Sequence, residues 1–371
     1  MIPSTVLVVS NHGEIVGGGE VSLLALLERL DRSRWKPAVV VPAEGAVASR
    51  CRRLDLPVHV ISLPGLRRRQ PAVVRGVLAM RRLIRGVDAR LLHANGSRAM
   101  LYAGLAGRLT GRPVIWHVRV ADPEPVLDRL LLVLSHAAIV NSHAVACRFA
   151  WARADKIHCI HNGVDLSRFR PSPPPERLRA SLGIPPQTPV VGSVGRFVPY
   201  KGYGVLLKAA RAVEDVLPGV HWLLVGDGEQ RVELEAQCHD LRLNERVHFT
   251  GWRDDVPDML ALCDVFALPS LAEHFGRVLI EAMAMERPVV ATGAGGVPEI
   301  VAHDQCGLLV PPGDPRAMAE ALLVLLRDPA RATRLGHAAR QRAETHFGIE
   351  RHVEAVAAVY AKVTSGRHGH V

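Results

Sequence analysis

Asn162-Gly163-Val164-Asp165, with Pro171-Ser172-Pro173-Pro174-Pro175 a few residues further on, is the stretch on which the reading of the fold turns. A turn tetrapeptide followed by a proline run fits neither a helix interior nor a central strand, so it marks a domain boundary near residue 170. On its amino-terminal side, short apolar runs at 6–9, 38–41, 58–61, 91–93, 114–116, 138–140 and 157–160 alternate with helical-period segments at 20–30, 71–85, 97–109 and 126–136. On its carboxy-terminal side the alternation restarts at 190–194, 222–225, 247–249, 265–268 and 289–291. Near-continuous apolar strands separated by helices predict parallel sheets covered on both faces. The expectation is therefore α/β: two Rossmann-like doubly wound domains, 1–170 and 171–348, facing across a cleft. A helical stretch over 315–362 closes the chain, with 349–371 expected to form a terminal helix and polar tail that packs back toward the first domain.

The 371 residues are 48% hydrophobic and 22% charged, which excludes a mainly disordered chain and supplies two cores. The formal net charge of +10 is unevenly spread. Residues 1–170 hold 25 Lys plus Arg against 12 Asp plus Glu, and residues 171–371 hold 21 against 24. Such asymmetry points to an acidic partner of the first half. Aromatics make up only 4% of the chain, and base-stacking platforms need them, so nucleic acid is not expected as a partner. Cys51, Cys147, Cys159, Cys238, Cys263 and Cys306 form no CxxC pair, which reads as reduced thiols. No apolar stretch approaches the ~18 residues of a membrane span, and 1–10 reads as a strand rather than a leader. A cytoplasmic protein is expected, at most peripheral on the inner face of a membrane.

The chemistry concentrates in Glu273-His274-Phe275-Gly276-Arg277-Val278-Leu279-Ile280-Glu281, which follows the run 265–268. Gly276 is placed at the start of a helix, whose unpaired N–H groups and positive dipole end suit a diphosphate. Glu273 then precedes the anion site and Glu281 lies inside the helix; two ordinary glutamates on a solvated face fit that spacing equally well. Gly195-Arg196 with Lys201-Gly202 follows the run 190–194. There a glycine admits close backbone approach, while Arg196 and Lys201 offer a fork and a point charge to phosphate oxygens, the alternative being a plain basic loop. Gly17-Gly18-Gly19-Glu20 and Gly295-Gly296-Val297-Pro298-Glu299 are strand-to-helix turns matching neither Walker nor GxGxxG spacing. His117 ends the run 114–116, where an α/β ligand would lie, although a packing histidine is common at such a place.

Taken together and in this order, these motifs resemble the retaining nucleotide-sugar glycosyltransferases of family four, which have the GT-B architecture. The resemblance runs over about three quarters of the chain and rests on Gly17-Gly18-Gly19-Glu20, Asn162-Gly163-Val164-Asp165, Gly195-Arg196 with Lys201-Gly202, the Glu-x7-Glu pair, and Gly295-Gly296 with Glu299. It implies a retaining glycosyltransferase that moves a sugar from a nucleotide-diphosphate-sugar donor to a glycan or lipid-linked, anionic acceptor. Arg196 and Lys201 would act on the diphosphate, Glu281 on the ribose and Glu273 toward the sugar, with His117 near the reacting carbon. Gly17, Gly18, Gly195, Phe275, Gly276 and Arg277 complete the implied donor set, and His12 and Arg119 are acceptor-side candidates, with His93 a weaker one. His274 stands where the family usually has glycine, which leaves donor choice open. No cofactor is implied, and no metal is expected, since the basic pair can take the place of Mg²⁺ on the diphosphate. A same-fold nucleotide-sugar epimerase or hydrolase, and a non-catalytic nucleotide-sugar-binding protein, are the alternatives; the presence of both glutamates disfavours the latter.

The segment 71–85 places Val73, Val77, Met80 and Ile84 on one side and Arg75, Arg81, Arg82 and Arg85 on an adjacent arc, preceded by Arg67-Arg68-Arg69. It fits either a basic helix resting on anionic lipid or a sandwich helix with its arginines in water.

Overall fold

The computed structural model describes residues 3–65 and 70–365. The chain divides into two compact units, 1–163 with 349–371, and 164–348.

The first unit is built on β1 (Ser4–Ser10), β2 (Trp35–Val41), β3 (Val58–Val60), β4 (Leu91–Asn95), β5 (Val114–Val118), β6 (Ala137–Val140) and β7 (Ile157–Cys159). All neighbours pair parallel, in the order β3-β2-β1-β4-β5-β6-β7. The strands are apolar on both faces because both are covered. Leu7, Val40, Leu92 and Trp116 face one buried layer, and Val6, Val39, Leu91 and Ile115 face the other. In the second unit, β8 (Val190–Val194), β9 (His221–Val225), β10 (Val247–Phe249), β11 (Val265–Leu268), β12 (Val289–Thr292) and β13 (Leu308–Val310) follow the order β10-β9-β8-β11-β12-β13. The strand order reverses between β1 and β4 and again between β8 and β11. Doubly wound sheets bind ligands beyond the strand C-termini at such switch points.

Three expectations are corrected. The boundary falls at 163/164 rather than 170, because Val164 and Phe169 are buried with Leu260, Phe266 and Phe275, and Val164 N–H bonds Phe347 O at 2.8 Å. A sixth strand, Leu308–Val310, joins the second sheet. The helical stretch 315–362 is three helices, Pro315–Arg327, Pro329–His346 and Ile349–Ser365. Asp328 interrupts the first pair and caps the second helix through Arg331 N–H. The third helix belongs to the first unit, where Val356, Val359 and Tyr360 are buried beside Leu23 and Trp35.

The helix Gln70–Gly86 buries Val77, Met80 and Ile84 in the first core, so most of its apolar side is spent on packing. Arg75, Arg82 and Arg85 are exposed beside Val74 and Leu78, while Arg67-Arg68-Arg69 and the tail beyond 365 lie outside the described residues. Among the described residues no helix is long and apolar enough to cross a membrane. The cysteines are all free, with Cys51, Cys238, Cys263 and Cys306 buried, Cys159 half-buried and Cys147 exposed.

Buried histidines, His93 and His221 among them, make stability pH-dependent. Burial, reinforced by the charges of Arg119 and His352, lowers His93 from 6.5 to about 3. Burial with His248, Arg246 and Arg179 lowers His221 to about 4. Both are depressed in the folded state, so the unfolded chain takes protons first and stability is lost as pH falls from 6.5 toward those values. The denaturant midpoint is expected to drop between pH 6.5 and about 5, before carboxylates titrate, and His221→Phe should flatten part of that slope. A midpoint constant over this interval would contradict the assignment.

Candidate active site

The site in the second unit grows from the switch point between β8 and β11. After β8 the chain runs through Gly195 and Arg196 into a short 3-10 turn, Pro199–Lys201, and the helix Tyr203–Glu214. After β11 it runs through Pro269-Ser270 to the helix Arg277–Ala284, with Gly276 at its N-cap. The two loops are fastened together. Leu271 and Ala272 donate their N–H groups to Tyr200 O at 2.8 and 3.2 Å. Gly202, at φ +68°, lies so close to Pro269 that a Cβ would come within 2.2 Å of its carbonyl oxygen. Only glycine satisfies both the backbone angle and the approach.

This fastening brings Lys201 and Glu273 together across 72 residues of sequence. The Lys201 ammonium is 2.5 Å from Glu273 Oε2, and Ser270 Oγ donates to the same oxygen at 3.0 Å. Both side chains are largely shielded, at 16% and 8% exposure, which strengthens the pair relative to a surface contact. Gly295 fixes the Glu273 backbone from the other side. Its φ is +53°, a Cβ there would stand 1.9 Å from Glu273 O, and Gly296 N–H donates to that same carbonyl at 3.0 Å. The Gly-Gly pair before Glu299 therefore holds the glutamate in place.

Glu281 is buried one turn inside the helix, with Arg277 3.0 Å away at i−4. Burial raises its pKa above the usual carboxylate value, partly offset by the charges of Arg277 and Arg168. Arg277 is thus engaged by Glu281 through its terminal nitrogen, while its Nε is buried with no partner among the described residues. Arg196 is exposed and donates to Tyr200 Oη at 2.7 Å. The Phe275 side chain is 2% exposed in the core and meets Phe347 edge to face.

In the first unit, Gly17 and Gly18 precede and open the helix Gly18–Arg29 at the end of β1, in a different unit from the other donor candidates. His12 lies on the same loop, with its ring 3.2 Å from Asn11 Nδ2. Arg119 is not free to meet an acceptor with its whole fork. Its Nε donates to Asn95 Oδ1 at 2.9 Å and its Nη1 to Asn162 Oδ1 and Ser22 Oγ at 2.8 and 3.1 Å. It ties the turn at Asn162 to the first helix and to β4, which gives that asparagine a role beyond turn formation. His117 is fully buried at the end of β5 and contacts His93. Burial and the charge of Arg119 push it well below the usual histidine range, so it is neutral. His93, a minor candidate by sequence, thus proves to be its direct partner.

The geometry just described can be set beside known proteins. Residues 16–168 match the family described as Glycosyltransferase Family 4, and residues 175–342 match Glycosyl transferases group 1. The structure of Anabaena HepE in complex with UDP-glucose superimposes with a TM-score of 0.85 at 29% identity, covering 96% of this chain and 99% of that one. The fold and these matches define a GT-B glycosyltransferase. The 2-deoxystreptamine glucosyltransferase of Streptomyces kanamyceticus is 32% identical over 300 residues, 74% of this chain and 78% of its own. With that coverage, the chain belongs to the family-four glycosyltransferases. Lipopolysaccharide core biosynthesis glycosyltransferase LpsE of Rhizobium meliloti is 38% identical over 172 residues, and the match spans 49% of its length.

Proposed function

We propose that the protein is a retaining glycosyltransferase that takes a sugar from a nucleoside diphosphate sugar held by the second unit. The observation that carries this reading is the shielded Lys201–Glu273 pair at the β8/β11 switch point, next to the helix that begins after Gly276. A cation, a carboxylate and a helix N-terminus at one place suit a ligand with a diphosphate and a hydroxyl-bearing ring. Lys201 and Arg196 take the diphosphate, Glu281 the ribose hydroxyls and Glu273 the sugar. UDP-sugars come first among donors because HepE is seen with UDP-glucose.

Departure of the nucleoside diphosphate and attack by the acceptor occur on the same face of the sugar in this reading. Charge growing on the leaving phosphate is met by Lys201, Arg196 and the helix end. His117 donates a hydrogen bond near the reacting carbon, and turnover needs no metal or other cofactor. The acceptor is a glycan or lipid-linked saccharide carried by the basic first unit, a class suggested by the name of LpsE. Membrane contact, where the acceptor is lipid-linked, falls to the exposed Arg75, Arg82 and Arg85 with Val74 and Leu78 beside them. Flotation with vesicles containing anionic lipid, compared with neutral vesicles, tests that contact; equal behaviour removes it.

A thermal-shift panel of nucleotide sugars tests the donor assignment. A donor at 100 times its Kd stabilises by about 2.7 kcal/mol, and the shift should vanish in the double variant Arg196→Ala/Lys201→Ala. A shift unchanged in that variant refutes the site. Activity lost to EDTA and restored by Mg²⁺ would refute metal independence alone.

A further inference from the structure

A line of three polar side chains runs through the core of the first unit, from the terminal helix to the end of β5. Tyr360 Oη is 2.5 Å from His93 Nδ1, and His93 Nε2 is 3.1 Å from His117 Nδ1. All three residues are 0% exposed. The line ends at His117 Nε2, a buried atom with no hydrogen-bond partner among the described residues. Trp35 packs edge to face on Tyr360 at 5.3 Å and holds the phenol in place.

The direction of the protons follows from the hydroxyl. A phenol has one hydrogen to donate, and a buried donor left unpaired is costly. Among the described residues, His93 Nδ1 is the sole hydrogen-bond contact of the Tyr360 hydroxyl. If Tyr360 donates to that nitrogen, His93 carries its proton on Nε2 and donates to His117 Nδ1. His117 must then carry its own proton on Nε2. The opposite polarity has His117 donating to His93 and His93 to the phenol oxygen, which strands both the phenol hydrogen and the His117 Nε2 lone pair in the core, whereas the first leaves only the His117 Nε2–H for a ligand to accept. Both rings are neutral, so each has one donor and one acceptor to place.

We propose that Tyr360 and His93 are positioning residues that hold His117 as its Nε2–H tautomer, so that His117 presents a hydrogen-bond donor to an oxygen of the bound nucleotide sugar. This rests on the reading of His117 as a group that touches the donor. The terminal helix thereby sets the protonation site of a residue more than 240 positions before it. Without the line, a neutral imidazole exchanges its proton between nitrogens and offers a lone pair for part of the time. A lone pair repels the sugar or phosphate oxygen that the N–H would bind.

Long-range ¹H–¹⁵N correlation spectra of ¹⁵N-histidine-labelled protein, with the His117 signals assigned from His117→Gln, read the tautomer directly. The wild-type protein is expected to show a protonated Nε2 and a bare Nδ1 at His117. Tyr360→Phe, which removes only the hydroxyl, is expected to populate the second tautomer. It should lower kcat about five- to tenfold, the scale of one hydrogen bond, with the donor KM unchanged within about twofold. A wild-type His117 protonated on Nδ1 overturns the proposal, and needs no variant to fold. So does a Tyr360→Phe protein with the wild-type tautomer and turnover. If the spectra are as expected but His117→Ala turns over normally, the tautomer line stands and the contact between His117 and the donor fails. An absent nucleotide-sugar thermal shift instead counts against the donor site in the second unit, which separates the two readings.

Discussion

Lys201→Ala is expected to lower kcat/KM by about two to three orders of magnitude, the usual effect of removing one preorganised group that meets charge in the transition state. The effect has two sources. In the proposed function the ammonium meets the charge that grows on the leaving phosphate. It also balances Glu273, whose carboxylate is 8% exposed and 2.5 Å away. Without Lys201, that carboxylate faces the diphosphate with Ser270 as its one remaining side-chain hydrogen-bond donor. Like charges in a shielded site repel strongly, so donor binding weakens along with turnover. Steady-state kinetics over a range of donor concentrations checks this, with circular dichroism melting to show that the variant is folded. Lys201→Arg keeps the charge but spreads it over a wider planar group, and should recover only part of the loss. A folded Lys201→Ala enzyme within about threefold of wild type would remove Lys201 from the mechanism.

The second large effect is on stability. Asp128 and Arg148 form a two-pronged ion pair with 1% and 0% side-chain exposure, in which Arg148 Nε donates to Asp128 Oδ2 at 2.9 Å. Arg148 also donates to Val120 O at 3.0 Å and lies over the rings of Trp116 and Phe149. Asp128→Ala leaves a guanidinium buried without its counter-charge; Glu124, exposed and 3.9 Å away, is too distant to replace the lost bonds. The expected cost is about 3 to 5 kcal/mol, enough to lower the melting temperature by roughly 10 °C in a unit of this size. Replacing both partners, as Asp128→Leu with Arg148→Met, should recover most of that cost, because the penalty lies in the stranded charge and not in the loss of attraction. Thermal and denaturant melts of the two variants decide the matter. A single variant that costs less than about 1 kcal/mol would show that the charge finds water or another partner.

How far such features can be read from sequence depends on how local their signal is. The inner strands among β1 to β12 are legible because a parallel strand buried on both faces is a continuous apolar run, while the edge strands β3, β7 and β10 each break theirs with a histidine. Leu308–Val310, between Gly307 and Pro311, is no shorter than β3, β7 or β10, and nothing in its own residues sets it apart from them. The placement of Val164 and Phe169 is hidden by the turn and proline signals around them, since their burial depends on partners about 90 residues away. At the site, the Glu-x7-Glu spacing and the Arg-x4-Lys loop are local and legible. Their union is not, because the Lys201 contact with Glu273 depends on the close approach of Gly202 to Pro269. His93 and Tyr360 are separated by 267 positions, and neither has a local feature that sets it apart from any buried polar residue.

The helix Ile349–Ser365 has a consequence in time as well as in space. On the ribosome the first 163 residues emerge together, but the element that covers part of their sheet is made only after residues 164–348. At about 5 to 20 residues per second, that delay is roughly 10 to 40 s. During it the surface destined for Val356, Val359 and Tyr360, around Leu23 and Trp35, stands open to water, to chaperones and to other nascent chains. The part of the molecule that is synthesised first is therefore the last to be finished.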